Sequence, residues 1–339
     1  AERGTFTRRG IRVAPLPRGT GYELDQIAYI DTLRPIVSSH LVNSDEVPVS
    51  SDLARAYQGL LRAATFAAAT RVDINVHLVA LQMTNLQPRS SHIRRLNALV
   101  TWAQRNPLRL RYAAMQCANL LEVHSSAATR KEPSDSPTRG RVLVGTLVLR
   151  TGTLSTGAPE QASGWLPCHL LDWQCGPLCP APNGRLLAQV SSAVGSATRA
   201  LTLAAALQRL QGGLMTKHHQ RMTQRSNSPL TVGLELIVED RAVLTAVNAS
   251  CPPTVADRTM LPRVKWRRDE LQWGRVRTIR TPQPQEALAR GLTNGSVDRT
   301  ALQAAAAGER PVWAAQADSQ IRLMDCLLYT SDAADDSQC

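Results

Sequence analysis

A chain of 339 residues can supply two domains of ordinary size, each with its own core. Only 4% of its residues are aromatic and two are Phe, so packing rests on Leu, Val and Ala, which bury less area than rings, and modest stability is expected. The net charge of +12 and seven cysteines without regular spacing point to a polyanionic partner or a basic solvated surface and away from a disulfide framework.

The basic residues are nearly all Arg, with Lys131, Lys217 and Lys265 the exceptions, a bias that GC-rich coding also produces. The charge divides as +7 over residues 1–115, +9 over 116–310 and −4 over 311–339, so both main regions are basic. No apolar run approaches the roughly 18 residues of a membrane helix. The start AERGTFTRRG is neither a signal peptide nor a Met initiation, so the chain reads as an internal, intracellular fragment of something longer, with no membrane partner.

In chain order, residues 22–115 read mainly as helices. Ile27, Ile30, Leu33 and Ile36 recur about every three positions, one helical face. Ser50, Ser51 and Asp52 are suited to cap a helix from about Leu53 to Ala69. A third helix fits DINVHLVALQMTN, and a fourth fits SSHIRRLNALVTWAQRN, ending before Pro107. From Leu108 the rhythm turns to strands: LRLRYAAM, NLLEVHS, RVLVGTLVLR and GWLPCHLLDW. The stretch VHSSAATRKE is read as the end of the second run and the start of a polar loop that reaches Gly140. A long Ala/Leu helix follows, ended by Gly212 and Gly213, then the strand VGLELIVED, a helix from near Arg241, a strand at GRVRTIRT and short helical pieces to residue 307. The expected class is α/β. The string CLLYTSDAAD, residues 326–335, resembles the in-frame translation of a sequencing-library adapter, so residues 326–339 are set aside and the native part is expected to stop near Asp325.

In the first half, Gln26, Tyr29, Ile30, Tyr57, Leu60, Thr70, Arg71, Asp73, Ile74, His92, Trp102, Pro107, Leu110 and Tyr112 fall in the order and spacing of a known pattern. That pattern resembles the end of the reverse transcriptase in copia-type retrotransposon Pol polyproteins, with departures at Gln58, Arg62 and Phe66. The resemblance implies that residues 1–115 are the mostly helical C-terminal part of a reverse transcriptase and that an RNase H-like domain, a mixed sheet flanked by helices, follows over 116–310. Residues 311–339 would be a tail. The segment GLTNGSVDRTAL and the strand CHLLDW resemble that second domain.

RNase H enzymes use two Mg²⁺ ions about 3.5–4 Å apart, and such hard cations are held by carboxylates. On the resemblance, the four carboxylate positions fall at Ser126, Gln189, Glu239 and Arg290, of which only Glu239, followed by Asp240, is acidic. The expectation is a degenerate fragment, a pseudoenzyme with no metal and no cofactor, although the intact family uses Mg²⁺. Its partner would be an RNA/DNA hybrid or other nucleic acid, held weakly by charge. The polymerase Asp pair of the family would lie upstream, and the only adjacent pair here, Asp335-Asp336, is in the adapter-like end.

The alternative is a nonenzymatic nucleic-acid-binding module. The stretch RVKWRRDELQWGRVRTIR places Arg263, Lys265, Arg267, Arg268 and Arg275 beside Trp266 and Trp273, so cations could follow phosphates while a ring stacks on a base. A basic strand with Trp in the sheet core is the competing reading. Cys168, His169, Cys175 and Cys179 match no usual zinc spacing, and Cys168 and His169 would face opposite sides of a strand. The adjacent His218 and His219 read as a solvated stretch, and no Gly-rich phosphate loop of the Walker kind is present.

Overall fold

The computed structural model describes residues 4–38, 41, 48–84, 87–115, 117–129, 142–152, 165–179, 184–212, 232–248, 262, 263, 265, 269, 275–282, 287–295, 299–311 and 320–322. Over these residues the chain is a mixed α/β protein with two sheets. The first sheet is antiparallel, in the order β1 (Phe6–Arg8), β2 (Ile11–Pro15), β3 (Gly21–Asp25), β4 (Leu110–Ala113). Arg9 and Gly10, both at positive φ, make the two-residue turn between β1 and β2 that suits the twist of a hairpin. These N-terminal strands add sheet to a region whose sequence reads mainly as helices, because strands this short and this rich in Arg leave little period-two signal.

Among the described residues, four α-helices lie between β3 and β4: α1 (Ile27–Thr32), α2 (Ser51–Ala67), α3 (Asn75–Gln82) and α4 (Ser90–Arg105). Ser50 caps α2 as expected, its hydroxyl accepting from the Leu53 N–H at 3.5 Å. Helix α1 stops at Thr32, earlier than its apolar spacing suggests, and Leu33 is already extended at φ −65°, ψ 133°. Pro35 is the reason, since the chain just before a proline is pushed out of helical geometry. Leu33 and Ile36 still reach the helical core with Ile30, Tyr57, Leu61, Ile93 and Leu96.

Part of that core is polar. Arg71 and Asp73, both about 1% exposed, form a two-pronged ion pair at 2.9 Å and 2.9 Å, and Arg71 also donates to the Ala103 carbonyl at 2.8 Å. Thr70 donates to Gln26 at 3.0 Å, and the Tyr57 hydroxyl donates to the Leu81 carbonyl at 3.0 Å. The Arg71 guanidinium lies 5.4 Å from the Trp102 ring centre. These are positions on which the first-half resemblance rests, and here they form a structural knot.

The second sheet has seven strands in the order β10-β7-β6-β5-β8-β9-β11. They are β5 (Cys117–Thr129), β6 (Val142–Gly152), β7 (Trp165–Pro177), β8 (Gly233–Val238), β9 (Val276–Arg280), β10 (Glu309–Pro311) and β11 (Gln320–Arg322). The pairs β5·β6 and β6·β7 are antiparallel, β5·β8 and β8·β9 are parallel, and β10 and β11 add antiparallel edges. Helices α5 (Arg185–Gly212) and α6 (Arg241–Asn248) lead to β8 and away from it, and α7 (Thr300–Ala306) precedes β10.

Helix α5 is long and apolar enough to cross a bilayer by length and composition, but its small-residue face is spent on the sheet. Ala193, Ala197, Ala200 and Ala204, spaced by four and three residues, are buried against Leu121, Val123, Leu234 and Leu236. On the other face, Leu143, Leu147, Leu149 and Leu170 meet Val72, Val76 and Val79 from the first half together with Leu288, Leu292 and Leu302. One core thus joins residues from both sides of position 115.

At this junction His77 accepts a hydrogen bond from Arg299 through Nε2. Burial, followed by the Arg299 charge, pushes His77 down from 6.5 to about 4, and Asp73 opposes the shift. The unfolded chain therefore binds a proton that the folded chain refuses between pH 6.5 and about 4. The His77 contribution is complete above pH 6.5 and is lost as the pH falls toward 4. Melting temperature is expected to drop between pH 7 and pH 4.5, and His77→Gln to make that drop shallower; equal slopes would contradict the assignment.

Candidate functional site

Ser125 and Ser126 lie within β5, not in a loop, and both are nearly sealed from solvent. Sequence reading ends the strand too early because consecutive small polar residues resemble a turn, whereas their hydroxyls find partners far along the chain. The period of two sends the pair to opposite faces. Ser125 meets the Ser192 hydroxyl on α5 at 2.9 Å. Ser126 faces the other way, where it donates to Oε2 of Glu239 and lies 3.0 Å from the Thr293 hydroxyl.

Glu239 stands just beyond the end of β8, and its Oε1 is 3.4 Å from Nε of Arg290. Arg290 belongs to a 3₁₀ turn, Leu288–Leu292, and its carbonyl holds Thr293, accepting from the Thr293 N–H at 3.1 Å and from its hydroxyl at 3.2 Å. Gly145, the β6 partner of Ser126, lets this turn lie down on the sheet. A Cβ at Gly145 would sit 2.8 Å from the Ala289 carbonyl oxygen and 3.0 Å from the Thr293 methyl.

Three of the four positions expected from sequence, Ser126, Glu239 and Arg290, therefore meet in one cluster. Gln189 lies on α5 and is buried, but its amide donates to the Ala127 carbonyl at 2.7 Å instead of joining the other three. Ser192 ties the same strand to the helix by donating to the Ser126 carbonyl at 2.8 Å. Asp240 has its own occupations: Oδ1 accepts from the Ala242 N–H at 2.9 Å at the start of α6, and Oδ2 pairs with Arg185 at 3.2 Å.

Each carboxylate thus faces a guanidinium. The Arg290 side chain is 49% exposed and that of Glu239 is 21% exposed, so the pair adds at most about 1 kcal/mol of stability. Its effect is on charge, since Arg290 cancels the negative field that would draw in a divalent ion. A hydroxyl, an amide and a guanidinium do not fit Mg²⁺, which binds carboxylate and water oxygens. Among the described residues, no group of three or more His, Cys, Asp or Glu side chains is placed to hold a metal.

The sequence also points to residues that stand elsewhere. Cys168 and Cys175 are buried, Cys179 is exposed, and burial pushes the Cys175 thiol up to about 12. His169 contacts the Ala113 carbonyl through Nε2 at 2.7 Å and packs edge-on against Tyr112. Of the basic patch, Lys265 is exposed and Arg263 is partly buried. Arg275 is 9% exposed, which removes it from any surface that phosphates could reach; it immediately precedes β9, and its carbonyl accepts from Leu234 at 3.3 Å. Arg267, Arg268, Trp266, Trp273, His218, His219 and the Asp335-Asp336 pair lie outside the described residues.

Thr293 and Gly145, at the cluster, and Ser192, on the opposite face of β5, are residues that sequence reading does not single out. Thr293 falls in the GLTNG segment, where only the spacing to Arg290 hints at it. No protein-family model matches the chain, and no curated protein matches it.

Proposed function

We propose that this chain is a fragment of a copia-type Pol polyprotein, the end of a reverse transcriptase joined to an RNase H-like domain whose metal site has been replaced by an internal ion pair. The meeting of Ser126, Glu239 and Arg290 carries this reading. These positions are far apart in sequence and match the motif order of that family, and Ser126 and Arg290 both fall within hydrogen-bonding or ion-pair reach of Glu239. The layout of β5 to β9, three antiparallel strands, a long helix, a strand, a helix and a parallel strand, supports it further.

On this reading the chain is catalytically silent. Displacement of a catalytic group by about 1 Å already costs on the order of a hundredfold, and here the charge of the group itself is changed. With an RNA/DNA hybrid and Mg²⁺ or Mn²⁺, the expected result is retention of the hybrid at low salt, with affinity falling steeply as salt rises, and no cleavage. Metal-dependent cleavage that disappears in Glu239→Gln would overturn the proposal.

A further inference from the structure

The 3₁₀ turn that carries Arg290 is not held only by its own half of the chain. Two residues after Thr293, Gly295 lies against α3 so closely that a Cβ there would sit 2.7 Å from Cε1 of His77. Arg299, at the start of α7, donates to the Gly295 carbonyl at 3.2 Å and reaches His77 with the same Nη2. Its guanidinium lies 5.4 Å from the Trp102 ring centre, on the ring that Arg71 also approaches. One turn into α7, Gln303 donates to Asp73 at 3.4 Å.

We propose that His77 is a positioning residue for the Ser126–Glu239 cluster: with Arg299 and Gly295 it clamps residues 288–295 from the first half of the chain and so holds Arg290 and Thr293 in place. This inference concerns the cluster as built and does not depend on its ancestry. Besides the apolar packing of Leu288 and Leu292, the 288–295 turn has two anchors of different kinds. One is steric and lies on the sheet, where Gly145 admits the turn. The other is polar and lies on α3, where an imidazole that is neutral at pH 7 accepts from a guanidinium.

Releasing the polar anchor leaves the 288–295 backbone with its contacts to β5 and β6 and with the apolar packing of Leu288 and Leu292 against Val72, Val76, Val79 and Leu302. The backbone N–H groups of Arg290, Thr293 and Asn294, now bonded to the carbonyls of Ala287 and Arg290, would then open more often. A local loss of this kind differs from general destabilisation, which lowers protection along the whole chain.

The test is hydrogen exchange on the full chain at pH 7, expressed as protection factors. In His77→Ala, protection over 288–295 is expected to fall at least tenfold while residues 57–64 of α2 and 190–200 of α5 keep theirs. His77→Gln, which retains an acceptor, is expected to restore it. Gly295→Ala, whose methyl forces the same two surfaces apart while the imidazole itself stays chemically intact, is expected to reproduce the alanine phenotype. The proposal is overturned if 288–295 is unaffected in Gly295→Ala, or if His77→Gln behaves as His77→Ala, or if protection falls equally in all three regions. Failure of the hybrid-binding experiment would leave these outcomes unchanged, so the two ideas can fail separately.

Discussion

Replacing Asp73 with Asn costs about 3–5 kcal/mol of folding stability, the scale set by breaking a buried ion pair from one side. Arg71 and Asp73 are almost wholly enclosed, and the guanidinium spends its donors on both Asp73 oxygens and the Ala103 carbonyl. The amide leaves that guanidinium charged, buried and without its counter-ion. Against a typical total of about 5–15 kcal/mol, such a loss is a large fraction of what holds a domain together. Equilibrium unfolding in urea measures it. Replacing both residues with apolar ones of similar volume is expected to cost less than the single change, since nothing charged is then stranded. A loss below about 1 kcal/mol for Asp73→Asn would show that water reaches Arg71.

The second large effect is a gain. Ser126→Asp, Gln189→Glu, Glu239→Asp and Arg290→Asp together place four carboxylates where the chain now has one. Without metal this variant is expected to melt below the parent, because the new acids repel each other and the carboxylate introduced at position 189 would face the Ala127 carbonyl that the Gln189 amide now satisfies. Mn²⁺ at about a hundred times its dissociation constant adds roughly 2.7 kcal/mol to a folded state that binds it. A metal-dependent rise in melting temperature is therefore expected for the variant and not for the parent. Equal responses would mean that carboxylates at these four positions, position 189 included, cannot turn toward one ion.

Much of the architecture is legible in sequence because it is written in local periodicity. The alanine and leucine spacing of α5, the caps of α2 and the alternating runs of β6 and β8 each follow from neighbours within a turn or a strand. What is not legible depends on partners far away. Ser125 and Ser126 read as a loop until Ser192, Glu239 and Thr293 are seen to satisfy them. Arg275 reads as a surface cation, and nothing in RVKWRRDELQWGRVRTIR reveals that it lies inside. The short edges β10 and β11 pair across long intervals, Glu309 with Pro167 and Gln320 with Arg280, and have no pattern of their own.

The candidate site is legible in a narrower sense. Motif order locates Ser126, Glu239 and Arg290, and the fold brings them together. Motif order also groups Gln189 with them, and the fold turns it to the strand backbone instead. A linear pattern carries position along the chain but not the direction of a side chain. Thr293 and His77 escape it for the same reason, because their contacts cross from one region of the chain to another.

The alanine seam of α5 has a consequence for how the chain can vary. Ala193, Ala197, Ala200 and Ala204 bring the helix near enough to the sheet for the Ser192 hydroxyl to reach a strand carbonyl. All four are buried in the helix–sheet core, and a larger side chain in the seam would force helix and sheet apart at a cost of about 1–3 kcal/mol. Arg290 is half open to water and carries no such penalty. Mutational tolerance is therefore lopsided: a library screened only for folding should be depleted of changes at Ala197 and nearly indifferent at Arg290, so shape can outlast chemistry in this chain.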